Sequence, residues 1–210
     1  MYPCLCQDII FKTGSGDKLR EIDIGAAYEA LDPRHSSAIL GFHAFTGCDQ
    51  TGKFYGKTKA FCWKTLLESS DEVLAALQQL GESEEFPTED MIRGLESFTI
   101  RLYRQNVPQS IKSLSDIRWY LFSKKQLEAE KLPPTRAALK YKILRAHYVT
   151  MMWKRSDRPN PELPDPCNFG WQNSDGYVEP MLTDELPAPE AAIEMCKCKK
   201  RDALLIIAFA

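Results

Sequence analysis

Between Asp32 and Trp153 the apolar residues recur every three or four positions, and this spacing limits the fold more than any other feature of the chain. Most of these runs open on a residue able to cap a helix. Asp32, with Pro33 in the first turn, starts a helix that buries Ala38, Ile39, Phe42 and Phe45. A helix from about Lys57 to Glu68 buries Phe61, Leu66 and Leu67. Ser70 caps the next, with Asp71 and Glu72 in the favourable first turn, Val73, Leu74, Leu77 and Leu80 inside, and Gly81 as its stop. Met91, Leu95, Phe98 and Leu102 follow a Thr88 cap, and Ile117, Leu121 and Phe122 follow Ser115. Pro133-Pro134 ends that helix, since proline cannot continue a helix interior. Thr135 then opens a long helix through Leu139, Ile143, His147 and Met151. The expected fold is mainly α, a compact helical module over residues 25–155.

Both flanks differ from this module. Residues 1–24 predict a β-hairpin, with Asp8 to Lys12 and Leu19 to Ile24 on either side of the turn Thr13-Gly14-Ser15-Gly16-Asp17. Over 156–195 no period survives, and Pro159, Pro161, Pro164, Pro166, Pro180, Pro187 and Pro189 predict an extended Pro-rich, acidic strap, pinned to the module by Trp171. Residues 196–210 hold Cys196-Lys197-Cys198 and then an apolar tail.

Composition excludes several classes of function. With 44% hydrophobic and 27% charged residues in 210, the chain is ordinary for a globular protein. No basic-then-apolar leader follows Met1, and the apolar run Ala203 to Ala210 falls far short of the roughly 20 residues of a membrane span. Seven cysteines without a regular framework fit a reducing compartment, so an intracellular, nuclear protein is expected.

The net charge of −2 hides a strong segregation. Residues 65–100 carry nine acids and the single base Arg93, 101–158 carry fourteen Lys/Arg against four acids, and 159–195 carry eight acids and no base. The basic block is either a phosphate-binding surface, with the flanking acidic segments pairing with it or repelling DNA, or a set of solvated faces of packed helices.

Phe45 to Leu67, FTGCDQTGKFYGKTKAFCWKTLL, joins a carboxylate to a basic, glycine-centred turn and an amphipathic helix. Gly56 lies seven residues after Asp49 and Cys62 six after Gly56. A turn that approaches a phosphate closely favours glycine, whose successive N–H groups can form an anion-binding concavity. Lys53, Lys57, Lys59 and Lys64 surround it, enough charge to neutralise several phosphates. The alternative is a solvated basic turn leading into a core helix. His43 and His147 sit on helices and read as packing residues, and the Asp49 charge beside Cys48 disfavours a thiolate nucleophile.

This spacing resembles the helix-two-turns-helix element of the flap-endonuclease-like (PIN-like) nucleases. The resemblance implies that Asp49 corresponds to a catalytic-metal ligand and that Lys53, Gly56, Lys57, Thr58, Lys59 and Lys64 contact a DNA phosphate backbone; where that family has Gly-x-Gly, this chain has Gly56-Lys57-Thr58. Further blocks, among them Leu31-Asp32-Pro33, Phe42 to Asp49, Leu132 to Thr135, Leu144 to Tyr148 and Pro187 to Glu190, resemble a multicopy animal family associated with mobile elements. Members of that family end in a tesmin-like cysteine-rich zinc module, whose first block Cys196-Lys197-Cys198-Lys199-Lys200 resembles. The chain is thus expected to be a fragment that begins inside the nuclease-like domain and ends in a truncated cysteine-rich start.

Two-metal hydrolysis needs several converging carboxylates, and only Asp49 matches one. Magnesium at Asp49 therefore requires carboxylates from elsewhere. Zinc at Cys196 and Cys198 is not expected, because a closed site needs four donors; Cys4 and Cys6 share the spacing and are the residues that could complete one. The leading expectation is a noncatalytic DNA-binding protein without a cofactor. The alternatives are a helical protein-interaction module without nucleic acid, and a metal-dependent nuclease once the missing acidic strands are supplied.

Overall fold

The structure is a computed structural model and describes residues 9–105, 107–125 and 129–183. Strands β1 (Ile10–Thr13) and β2 (Arg20–Asp23) pair antiparallel, with Phe11 opposite Ile22 and Lys12 opposite Glu21. The expected hairpin is present, and a short 3-10 turn, Gly16–Lys18, lies in its connection. The chain becomes helical at Ile24, because the Asp23 carboxylate accepts the Ala26 N–H at 3.0 Å and caps an additional short helix, α1 (Ile24–Glu29).

Six helices follow: α2 (Pro33–Thr46), α3 (Lys59–Leu67), α4 (Asp71–Gln79), α5 (Glu89–Tyr103), α6 (Leu114–Lys125) and α7 (Arg136–Lys154). Side-chain caps set most of their starts. Asp32 accepts from the Arg34 N–H, Thr58 from Phe61, Thr88 from Met91 and Thr135 from Ala138, at 2.8 to 3.3 Å. One expected cap is displaced: Ser113, not Ser115, accepts the Asp116 N–H at 3.0 Å, so α6 begins at Leu114. A 3-10 turn at Ala129–Lys131 precedes Pro133-Pro134.

In the helical module α4 lies against α2 and α5, and α7 against α2. Small residues allow the close approach. A Cβ at Gly41 would fall 2.0 Å from the Leu77 carbonyl oxygen, and one at Gly94 would fall 2.7 Å from the Ala76 Cβ. Phe98 packs on Phe42 and Phe45 with ring centroids 6.4 and 6.2 Å apart, in a core shared with Leu66, Leu77, Leu95, Leu102 and Ile143. Burying each such side chain contributes about 1.5–3 kcal/mol.

The inward stripe of α3 differs from expectation. Cys62, Thr65 and Leu66 face the core, Phe61 is half-buried, and Leu67 is 50% exposed; Ile39 on α2 is also only half-buried. Positions 62, 65 and 66 follow the spacing of one helix face, and Leu67 lies about 100° beyond Leu66.

The described part of the strap after α7 contains elements that its prolines concealed. Pro166–Phe169 forms a 3-10 turn, and β3 (Trp171–Ser174) pairs antiparallel with β4 (Tyr177–Pro180). Asp175-Gly176 makes the two-residue connection with φ of 51° and 85°. Its anchor is Phe169 rather than Trp171: Phe169 is 2% exposed and stacks on His147, with centroids 5.9 Å apart, and also meets Phe86 and Tyr148. Trp171 remains half-buried near the Arg145 guanidinium.

Candidate nucleic-acid interface

The segment singled out in the sequence is a surface loop joining α2 to α3, laid over a bed of aromatic rings. At the end of α2, Gly47 adopts φ 113°, and a Cβ there would come within 2.7 Å of the Lys53 Cα. The loop then folds back. The Cys48 N–H donates to the Thr51 carbonyl at 3.0 Å, and the Thr51 hydroxyl donates to the Ala44 carbonyl at 2.6 Å. Phe54 enters the core as the loop's anchor, edge-on to Phe45 at 5.4 Å and to Tyr103 at 6.4 Å.

Beyond Phe54 the chain turns outward. The Lys57 N–H donates to the Phe54 carbonyl at 3.1 Å, closing a turn with Gly56 at φ 67°. Gly56 is exposed, and nothing lies within 4 Å of where its Cβ would be. Thr58 has φ −75° and ψ 156°, an extended conformation suited to its role as the cap of α3. The first N–H groups of α3 therefore follow directly on the Gly56 turn, an arrangement favourable to anions.

The lysines divide into two sets. Lys53 and Lys64 are exposed. Lys57 is half-buried, with its ammonium 4.6 Å from the Tyr103 ring centroid and 5.0 Å from that of Phe61; burial lowers its pKa. Lys59 reaches back to the C-terminus of α2, donating to the His43 carbonyl at 3.1 Å, the Thr46 hydroxyl at 2.9 Å and the Gly47 carbonyl at 2.6 Å. It thereby satisfies carbonyls that the end of a helix leaves without intrahelical partners.

A further lysine, not foreseen from the sequence, supports the loop from below. Lys142 on α7 donates to the Gly52 carbonyl, and its ammonium lies 4.4 Å from the Phe54 ring centroid. Burial pulls its pKa down to about 7, with Arg145 and Lys59 adding repulsion. The signal was its position: Lys142 stands between Leu139 and Ala146 on the buried stripe of α7. Under this cluster the Cys62 thiol is pushed up by burial, and the Tyr103 hydroxyl to about 12 for the same reason. No carboxylate forms an ion pair with Lys57, Lys59 or Lys142 among the described residues.

Asp49 is exposed at the loop's start. Among the described residues no group of three or more His, Cys, Asp or Glu side chains could hold a metal ion. Cys4, Cys6, Cys196 and Cys198 lie outside the described residues. His147 is a packing residue, accepting the Gly81 N–H at Nδ1 at 3.2 Å and meeting the Ser83 carbonyl at 3.0 Å through Nε2. His43 stacks on Trp153 with centroids 5.4 Å apart.

What fold and loop define together is a mainly helical protein presenting a basic, aromatic-backed turn. The chain matches no protein-family model, no curated protein and no solved structure. No described helix is long and apolar enough to cross a membrane.

Proposed function

We propose that this chain binds the phosphate backbone of DNA through the loop between α2 and α3 and does not cleave it. The observation carrying this reading is the exposed Gly56 turn. It has open space over the glycine, leads directly into the N-terminus of α3, and lies between Lys53 and Lys57 in the chain, with Lys64 exposed further along on the last turn of α3. Exposed backbone N–H groups and the lysines of the same segment are the two kinds of group that phosphate recognition uses, and no carboxylate pairs with Lys57 or Lys59 among the described residues. The resemblance of residues 45–67 to the helix-two-turns-helix element supports the same ligand. A DNA partner implies a nuclear protein.

In this reading the lysines have different tasks. Lys53 and Lys64 approach phosphate from solvent, Lys57 contributes from its aromatic bed, and Thr58 holds the start of α3. Lys59 shapes the loop by binding the end of α2. The noncatalytic part of the reading rests on Asp49, which has no converging carboxylates among the described residues to share a metal ion with it.

The test is fluorescence anisotropy with a branched DNA over a range of salt concentrations. Binding is expected to weaken steeply as salt rises, and Lys53→Glu combined with Lys64→Glu should weaken it at least about tenfold and flatten the salt slope. Equal binding by the variant, or no binding at low salt, overturns the reading, and magnesium-dependent cleavage overturns its noncatalytic part.

A further inference from the structure

The segment from α2 to α3 carries one aromatic side chain that the fold does not use. Of the six Phe, Tyr and Trp residues from Phe42 to Trp63, Phe42, Phe45 and Phe54 belong to the core, and Phe61 and Trp63 pack against it. Tyr55 is the exception. It is 51% exposed and makes no ring contact, hydrogen bond or ion pair among the described residues.

The backbone on both sides of this ring is fixed. Phe54 is buried and lies edge-on to Phe45 and Tyr103. The Lys57 N–H closes the turn on the Phe54 carbonyl, and φ of 67° at Gly56 with no positive φ at Tyr55 makes the turn type II. Tyr55 thus occupies the outer corner of a shaped turn. A tyrosine has only two side-chain torsions to fix, so engaging it costs little entropy.

The chain around the ring is cationic without interruption. From Gln50 to Leu67 it holds Lys53, Lys57, Lys59 and Lys64 and no Asp or Glu. Lys53 lies two residues before Tyr55 and Lys57 two after, each within about 7 Å of it between Cα atoms by the reach of the chain. A partner that uses the whole turn therefore offers both anions and a flat π-face. An acidic protein surface supplies only the charge. In an intact duplex the bases are already stacked on one another, whereas a single strand lets an unpaired base lie on an aromatic side chain while its phosphates follow the lysines.

We infer that this loop takes single-stranded DNA, with an unpaired base stacked on the Tyr55 ring and the neighbouring phosphates at Lys53 and Lys57. The inference rests on the phosphate-binding reading above and adds the form of DNA that the loop selects. Stacking adds affinity without neutralising a phosphate, so it leaves the salt dependence unchanged.

Fluorescence anisotropy with oligothymidine of about 15 nucleotides, an abasic strand of the same length and a blunt duplex tests this. The full chain is expected to bind oligothymidine at least about fivefold more tightly than the abasic strand, which keeps the phosphates and lacks the bases. Tyr55→Ala should lose that advantage on oligothymidine, change nothing on the abasic strand and keep the salt slope, while Tyr55→Trp should retain full affinity. Equal binding of the two strands, an equal loss by Tyr55→Ala on both, a loss by Tyr55→Trp as large as that by Tyr55→Ala, or tighter binding of the duplex than of oligothymidine overturns the stacking and leaves phosphate binding standing. No binding of any of the three DNAs at low salt overturns both.

Discussion

Lys142 places an amine where a helix ordinarily carries a hydrophobic side chain, and this makes stability depend on pH. Folding lowers its pKa from 10.5 to about 7. Below about pH 7 the amine is charged in both states, and its burial weakens the fold in full. Between about 7 and 10.5 the unfolded chain holds a proton that the folded chain has released, so stability rises with pH. Urea midpoints compared at about pH 6.5 and 8.5 should show a gain on the order of 1–2 kcal/mol. Lys142→Met, which fills the same space without a titrating group, should remove most of it. Tyr103 acts in the opposite sense, since a hydroxyl held at about 12 keeps a proton that the unfolded chain loses near 10, and stability falls across that interval. Gly47 imposes a different constraint. Gly47→Ala forces a Cβ against Lys53 at a φ suited to glycine and should cost at least about 2 kcal/mol in denaturation experiments.

Helix starts were the most legible part of the sequence, because a cap is a local bond between neighbouring residues. Asp32, Thr88 and Thr135 each make that bond, whereas Thr58, expected inside a helix starting near Lys57, proves to be the cap of α3. At α6 two serines two positions apart offered equivalent local chemistry, and the choice fell to packing: Leu114 is 1% exposed, so it lies inside the helix and Ser113 becomes the cap. Ser113→Ala should accordingly cost about 1 kcal/mol and Ser115→Ala much less, which thermal melts of the two variants would resolve. The face of α3 was harder to read, because Cys62 and Thr65 are buried while the more hydrophobic Leu67 is not. Hydropathy alone therefore gave the wrong phase. The missed hairpin β3–β4 did have a signal in Asp175-Gly176, a pair suited to a two-residue turn.

Among the described residues, three of the segregated basic side chains meet acids of the neighbouring block. Lys154 pairs with Glu82 at 2.5 Å, Arg155 with Glu84 at 2.9 Å and Arg136 with Glu96 at 3.6 Å, joining the basic block to the acidic segment before it. Arg101, Arg104 and Arg118 donate to backbone carbonyls of Glu68, Ile111 and Pro133. Sequence showed the excess charge but not these long-range pairings, which is why the compact loop around Gly56 is a better candidate site than the block as a whole. The strap is attached chiefly through one ring. Phe169→Ala should destabilise the fold by about 3–5 kcal/mol and speed proteolysis between Trp153 and Trp171, as a cleavage time course would show. Arg145 closes the same region, donating to the Gly170 and Met181 carbonyls, 25 and 36 residues further along the chain. A nascent polypeptide thus completes α7 well before translation reaches these acceptors, and the guanidinium waits for the residues on either side of the β3–β4 hairpin to be synthesised before its clasp can shut.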